Sequence, residues 1–384
     1  MIGTLIGLLT LLTTSLSFSQ TSDNDSSYAN LDTFIRASYP FRLLGSGLVT
    51  AGIKPTDYLT FQISALGRVP LETNYVDAFA RLSDSFIRLE LFDWSLSVGN
   101  LVIPWSGTRA TMLNNRVNPI DYHCGPDFTS SITGRIPQWG ALVRGSIWET
   151  DIQALVFARY TPNDSSLVAS QQGGVQIGRY QSLWPTPFSP DSFWGPTLGL
   201  RVHRNLNDAL SGGMNILWGY NQFFSIPSHT LTHELSVGLD ASYQLGTVVL
   251  QSELLFEHNK TTWLATHSKD LNVISGAIGI EMEYGDWISG SLELLDVCWL
   301  GLMNRLAIAT SLEGTVTNLI AWQIKGEVGI LQPDILTTVD VHHNWSNLGL
   351  SAGIFSNIYA GTQNSPGWMR REATTIGLFA RHEL

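Results

Sequence analysis

Residues 234–243 read ELSVGLDASY, and every second side chain is apolar. Leu235, Val237, Leu239, Ala241 and Tyr243 share one face of an extended chain; Glu234, Ser236, Gly238, Asp240 and Ser242 share the other. Successive side chains of a strand point to opposite faces, so the pattern specifies a strand with one apolar and one polar side. The same alternation returns at Val273–Tyr284, where Ile274, Ile278, Ile280, Met282 and Tyr284 oppose Ser275, Gly279, Glu281 and Glu283. At 319–330, Ile320, Trp322, Ile324, Val328 and Ile330 oppose Gln323, Lys325 and Glu327. Leu59, Phe61, Ile63 and Ala65 alternate with Tyr58, Thr60, Gln62 and Ser64. No helical periodicity is sustained after the first 20 residues.

Composition narrows where such strands can live. The 384 residues are 44% hydrophobic but only 14% charged, with a net charge of −11. A soluble domain carries about 25% charged residues. A helical membrane protein needs apolar runs of about 18 residues, and the run from Val297 to Met303 is the longest candidate after the N-terminus. The 13 Trp, 16 Phe and 11 Tyr exclude a disordered chain. A large secreted β protein or a transmembrane β-barrel remains.

Residues 1–19 read as a secretory signal, with an apolar core at Leu5–Leu12 and a small-x-small site at Ser17-Phe18-Ser19. The barrel is then expected over 20–384. Alternating segments fall near 30–38, 57–67, 73–81, 84–92, 94–103, 139–148, 151–160, 196–204, 210–220, 232–244, 247–257, 273–284, 287–297, 303–313, 318–330, 333–343, 346–358 and 373–384. Residues 44–53 are a further candidate. Many run near ten residues, the length a tilted strand needs to cross a bilayer. With the N-terminus in the periplasm, down-to-up turns fall at Phe92-Asp93, Glu149-Thr150, 205–208, Gly246, Gly285-Asp286, 314–317 and Asn344-Trp345. Long connections at 104–138, 161–195, 221–231, 258–272 and 359–372 all fall on the opposite side, with short links near Ser83 and Gln332 as exceptions. Short periplasmic turns and longer external loops are the outer-membrane arrangement. Trp94, Trp139, Trp148, Trp218, Trp287, Trp299 and Trp345 lie near strand ends, as interfacial tryptophans do, and Trp322 reads as mid-strand. The expectation is one antiparallel transmembrane barrel of about 16–18 strands.

The segment FIRLELFDWSLSVGNLVIPWS at 86–106, followed by NNRVNPIDY at 114–122, resembles a motif of Gram-negative outer-membrane barrels of porin-like and alginate-export-like type. Gly99, Trp105, Asn118, Pro119 and Asp121 match it, whereas Asn100-Leu101 and Ser106 depart from it. The resemblance spans about a tenth of the chain and implies the barrel class, not a substrate.

On the polar face, Arg36, Arg88, Arg144, Arg159 and Arg201 come from early strands. Glu253, Glu257, Glu281, Glu283, Glu293, Glu313, Glu327 and Asp340 come from later ones, relieved by Arg305 and Lys325. A closed barrel would set an arginine-rich wall against a carboxylate-rich one, a transverse field that selects solutes by charge. Loop 104–138 or 161–195 is expected either to fold inward as a constriction or to lie on the surface. The reading is a passive outer-membrane channel for small hydrophilic solutes. The alternatives are a plugged structural or surface-interaction barrel, polysaccharide export, and transport of hydrophobic solutes.

Expected partners are outer-membrane lipid and the solute, with polysaccharide and a homo-oligomer as further candidates. No catalytic set, cofactor motif or metal spacing is evident. Asp121-Tyr122-His123-Cys124 lacks a second ligand cluster, and Asp340, His342 and His343 read as a polar rim. Cys124 and Cys298 have no metal or haem spacing. A pI near 5.2 gives nucleic acid no electrostatic footing.

Overall fold

The structure is a computed structural model that describes residues 27–39, 42–70, 79–105, 114, 117–118, 135–159, 194–220, 233–263, 268–285, 287–300, 303–316, 319–331, 333–345, 349–362 and 375–383. The expected signal segment 1–19, Pro119, Asp121, the 121–124 cluster and residues 161–193 lie outside them. So do the side chains of Arg36, Arg159 and Trp299.

The first strands are β1 (Ser27–Tyr39), β2 (Arg42–Thr56), β3 (Leu59–Pro70), β4 (Phe79–Leu82), β5 (Ser85–Leu91) and β6 (Trp94–Leu101). Then come β7 (Gln138–Ile147), β8 (Thr150–Arg159), β9 (Trp194–Asn205), β10 (Leu210–Tyr220), β11 (His233–Leu245), β12 (Val248–Trp263) and β13 (Ser268–Tyr284). The chain ends with β14 (Ile288–Trp299), β15 (Met303–Val316), β16 (Ile320–Gly329), β17 (Asp334–Trp345), β18 (Leu350–Gly361) and β19 (Thr375–Glu383). Each wall strand pairs antiparallel with its neighbour in sequence, and β1 pairs antiparallel with both β2 and β19. The sheet therefore closes on itself and leaves no edge to satisfy in lipid.

β4 and β5 are two pieces of one wall strand. β3 pairs with Phe79–Leu82 along one stretch and with Phe86–Leu89 along the next. Counted as one, they bring the nineteen segments to a ring of eighteen. The expected number holds, but its parts differ. The break at Ser83-Asp84 is a bulge and not a link between strands: Ser83 N–H donates to Ser64 O at 2.7 Å. The Ser85 hydroxyl fills the displaced rung, accepting from Ser64 N–H and donating to Ser64 O. The segments expected at 73–81 and 84–92 thus merge, and the strand at 44–53 replaces the one lost. The expected loop 258–272 is mostly ladder, since β12 and β13 stay paired to Trp263 and Ser268 across a bulge at Glu257/Lys260.

Ser27, Glu383 and the short turns lie at one end. Trp148 and Glu149 take left-handed backbone, φ 47° and 61°, the type I′ geometry that suits a two-residue hairpin. The opposite end carries 102–137, 160–193 and 221–232, with a short turn at Gln332 also on that side. Apolar side chains face outward: Ile278 is 63% exposed, Met282 57% and Leu292 57%. Their polar neighbours Ser275, Ser291 and Glu293 are buried inside. From Tyr284 to Ile274 the outward apolar run rises about 25 Å at barrel tilt, the height of a transmembrane band. Exposed Tyr58, Phe92, Trp94, Trp148, Tyr284, Trp287 and Trp345 ring the short-turn end. Trp218, stacked on His233 at 4.9 Å, and Trp139 mark the other. Trp322 belongs to the lower ring and not to mid-strand, because β16 begins only two residues before it.

Candidate functional site

Inside the ring, the described residues of the connection between β6 and β7 leave the wall and rest on its inner face. Its root is fastened by the residues that the sequence motif singled out. Asn118 is fully buried; its Oδ1 accepts from Ile103 N–H at 2.7 Å, and its Nδ2 donates to Leu101 O at 2.8 Å and Ile136 O at 3.0 Å. One side chain thus ties both ends of the loop together. Arg135 Nη1 donates to the Asn118 carbonyl at 2.9 Å. The bulge adds a second fastening, since Asp84 Oδ1 accepts from Val102 N–H at 3.1 Å. Gly99 supplies room: its φ is +151°, and a Cβ there would meet Ser85 O at 2.1 Å.

Trp105, 1% exposed, turns toward the wall and donates its indole N–H to Gln153 Oε1 at 2.9 Å. It joins Ile103 and Val117 in a cluster with the inward-facing Phe86, Leu101, Leu142, Leu155, Phe157 and Leu217. Gly199 makes way for the indole, because a Cβ there would lie 2.7 Å from Trp105 Cη2. Apolar residues on a lumen wall would be costly to wet; here the loop covers them and forms a small core of its own inside the barrel.

Beyond that core the loop reaches β10–β12. Asn114 N–H donates to Glu253 Oε2 at 3.2 Å, and Asn114 Nδ2 donates to Leu239 O at 3.2 Å. Gly238 lies beneath it, with room for no side chain: a Cβ would sit 2.2 Å from Asn114 Oδ1 and 2.6 Å from the Asn215 amide. Of the two connections that could fold inward, the described residues of 104–138 do so; residues 161–193 lie outside the described residues.

The expected lumen charges face inward wherever their side chains are described. Arg88 donates from Nε to Ser97 Oγ at 3.0 Å and lies 4.6 Å over the Phe86 ring. Arg88 and Arg144 both interact with Asp84. Arg201 pairs with buried Asp240 at 3.2 Å, and His203 Nε2 stands 3.9 Å from the same carboxylate. Asp240 lies directly across the ladder from Glu253. Glu257 takes Lys260 at 2.5 Å. Arg305, 6% exposed, bridges Glu327 and Asp334. Asp84, Asp240 and Asp334 were not singled out in the sequence. Each stands where alternation allowed an inward acid, but only the fold shows its partner.

Lower on β13–β17 the carboxylates meet neutral donors. Gln251 Nε2 donates to Glu281 Oε2 at 2.5 Å, and Ser289 Oγ and Gln323 Nε2 donate to the two oxygens of Glu313. Asp340 Oδ1 lies 2.5 Å from His342 Nδ1, both within the lumen. His343 faces outward and stacks edgewise on Trp345 at 4.4 Å. The three are therefore not one rim cluster. Among the described residues no group of His, Cys, Asp or Glu is placed to hold a metal ion, and Cys298 is a free thiol.

No family model and no curated relative matches the chain. Solved structures do. The vanillate complex of OpdK from Pseudomonas aeruginosa is 9% identical with a TM-score of 0.58, aligning 94% of this chain with 98% of that one. OccAB2 from Acinetobacter baumannii is 11% identical with a TM-score of 0.58, over 96% and 99%. Salmonella typhi OmpF in complex with daunomycin is 8% identical with a TM-score of 0.52, over 96% and 100%. What this chain shares with them at such identities is the fold, an all-β antiparallel barrel wall.

Proposed function

We propose that this chain is a non-enzymatic, porin-like channel of the Gram-negative outer membrane, through which small hydrophilic solutes diffuse passively. The observation that carries the reading is the division of the closed wall: an apolar band outside, a charged face inside, and an inner loop resting on part of that face. Eighteen strands enclose more space than side chains alone can fill, and barrels of 16–18 strands leave an aqueous lumen. OpdK in complex with vanillate and OmpF in complex with daunomycin hold small molecules in barrels of this shape, which supports the reading.

Purified protein in planar bilayers is expected to give discrete conductance steps, and liposomes containing it to swell in small sugars. A folded, heat-modifiable protein that gives neither would establish a plugged barrel instead. The apolar core around Trp105 favours that second reading for one side of the lumen, so the swelling assay decides between them.

A further inference from the structure

We infer that the short-turn end of the lumen holds a subsite for a small α-amino acid. Arg144 and Gln153 take its carboxylate, and Glu90 takes its amino group. The inference rests on the channel reading above for its purpose and names a substrate class: small zwitterions, in preference to simple carboxylates or simple amines.

Register places these groups together. Glu90 lies across from Ser95, Ser95 from Arg144, and Arg144 from Gln153. The four form one rung of β5–β8, all on the inward parity and all partly exposed. Neighbouring strands lie about 4.8 Å apart, so the backbones of Glu90 and Arg144 stand roughly 10 Å apart with a serine between them. A cavity of about 360 Å³ opens over the rung and is lined by all four, with Asp93 and Asp151 toward the turns. That volume lies at the small end of the range for ligand sites.

The hydrogen-bonding capacity of the rung is unspent on the cavity side. Arg144 feels Asp84 and Arg88 only through space, and its Nε is buried with no hydrogen-bond partner. Among the described residues the Glu90 carboxyl group makes neither a hydrogen bond nor an ion pair, so the acid and the guanidinium share a cavity without pairing to each other. Gln153 is fixed in orientation, because an indole N–H can only donate and Trp105 gives its own to Gln153 Oε1 at 2.9 Å. The Gln153 Nε2 is thereby left as a donor beside Arg144. The core around Trp105 thus reaches the cavity through one amide.

The neighbouring charges are otherwise engaged. Arg88 bonds Ser97 and lies over Phe86, Arg201 is held by Asp240, and Asp151 accepts from the Ser146 hydroxyl. A simple anion placed on Arg144 would leave the Glu90 oxygens unmatched, and a simple cation placed on Glu90 would face a guanidinium that stays charged at any physiological pH. A solute that carries a carboxylate and an amine on one carbon meets both, with the Ser95 hydroxyl between them. The frame is rigid, as a preformed site requires. Trp94 lies over Gly145 on the far side of the wall, where a Cβ would come 2.2 Å from its ring. The hairpins at Phe92-Asp93 and Trp148-Glu149 close the strands just below.

The test is calorimetric titration of the purified full-length protein in detergent with L-alanine and with its two halves, propionate and ethylamine. Wild type is expected to bind alanine about tenfold or more tighter than either half, the scale of one charge-assisted contact. Glu90→Gln is expected to weaken alanine by about that factor and leave propionate unchanged, whereas Arg144→Met weakens both. Trp105→Phe frees Gln153 and is expected to weaken alanine and propionate by the same factor. Alanine binding no tighter than propionate in wild type, or unchanged in Glu90→Gln, would overturn the subsite. Unchanged binding in Trp105→Phe would remove Gln153 from it. A heat-modifiability gel on each variant separates a lost contact from a lost fold, and Glu90→Gln keeps the shape of the side chain it replaces. Binding needs no open pore, so the two readings fail separately: selective binding without conductance steps would overturn the channel reading alone, and steps without selective binding would overturn the subsite alone.

Discussion

Replacing Asn118 with alanine tests whether the inner loop is held by its root. The side chain makes three buried hydrogen bonds, one accepted from Ile103 N–H and two donated to Leu101 O and Ile136 O. Alanine leaves one buried donor and two buried carbonyls without that partner. An orphaned buried group costs about 1–3 kcal/mol and an ordinary lost bond about 1 kcal/mol. Water reaching the root from the lumen offsets part of this, leaving about 2–4 kcal/mol for the attachment. At roughly 1.4 kcal/mol per tenfold, the population with a detached root rises between about thirtyfold and several hundredfold. None of this falls on the wall, because Asn118 belongs to no strand ladder. Single-channel records should gain flicker and additional conductance levels, while the heat-modifiability transition stays near that of wild type. Asn118→Asp retains the acceptor for Ile103 N–H and loses both donations, so it should fall between the two. A record from Asn118→Ala indistinguishable from wild type in noise and step size would refute the idea that this residue fastens the loop. A collapse of the heat transition would refute the idea that the root and the wall are energetically separate.

Three further perturbations act at other points. Gly238→Ala adds a Cβ 2.2 Å from Asn114 Oδ1, an overlap of the kind that costs about 1–3 kcal/mol; the far end of the loop should lift from β11 and single-channel noise should increase. Trp105→Ala empties the centre of the lumen cluster at about 3–5 kcal/mol, whereas Trp105→Phe keeps most of the packing and orphans only Gln153. Flicker should therefore be strong in the first and slight in the second. Arg305→Met leaves buried Asp334 and its neighbour Glu327 without their cation, a loss of about 3–5 kcal/mol. The detergent-gel unfolding temperature should fall, and adding Asp334→Asn with Glu327→Gln should restore much of it.

Alternation was legible because the wall has two solvents, lipid and water, and each strand must answer to both. It failed where a local feature imitates punctuation. Ser83-Asp84 reads as a turn, since small polar residues between apolar runs usually are one; only pairing with β3 shows that the chain continues in the same direction. The same two residues then do separate tasks, Ser83 closing the ladder and Asp84 holding Val102 N–H. The extension of β12 and β13 past 258 was hidden because its residues stand above the apolar band, where alternation is no longer required. His258 and Asn272 face outward there, 2.7 Å apart, and both are polar. Periodicity reports a boundary between two solvents, and it falls silent where a strand leaves one of them.

The loop inside the barrel obeys a third rule, which explains why its motif stood out without explaining itself. A segment lodged in a wet lumen has neither lipid nor a protein core to bury its apolar residues, so it must bring a core with it. Trp105, Ile103 and Val117 do this against inward positions that the alternation would have made polar: Phe86, Leu142, Leu155, Phe157 and Leu217. Those exceptions are visible in the sequence as apolar residues on the wrong parity, though Leu255, Val273, Leu295 and Phe355 are buried on the same parity of later strands. On β13–β17 the inward parity includes the carboxylates of Glu281 and Glu313, which accept from amides and a hydroxyl. Interruptions of the lumen pattern are needed where the loop is seated but do not by themselves locate it, because the later strands carry them too.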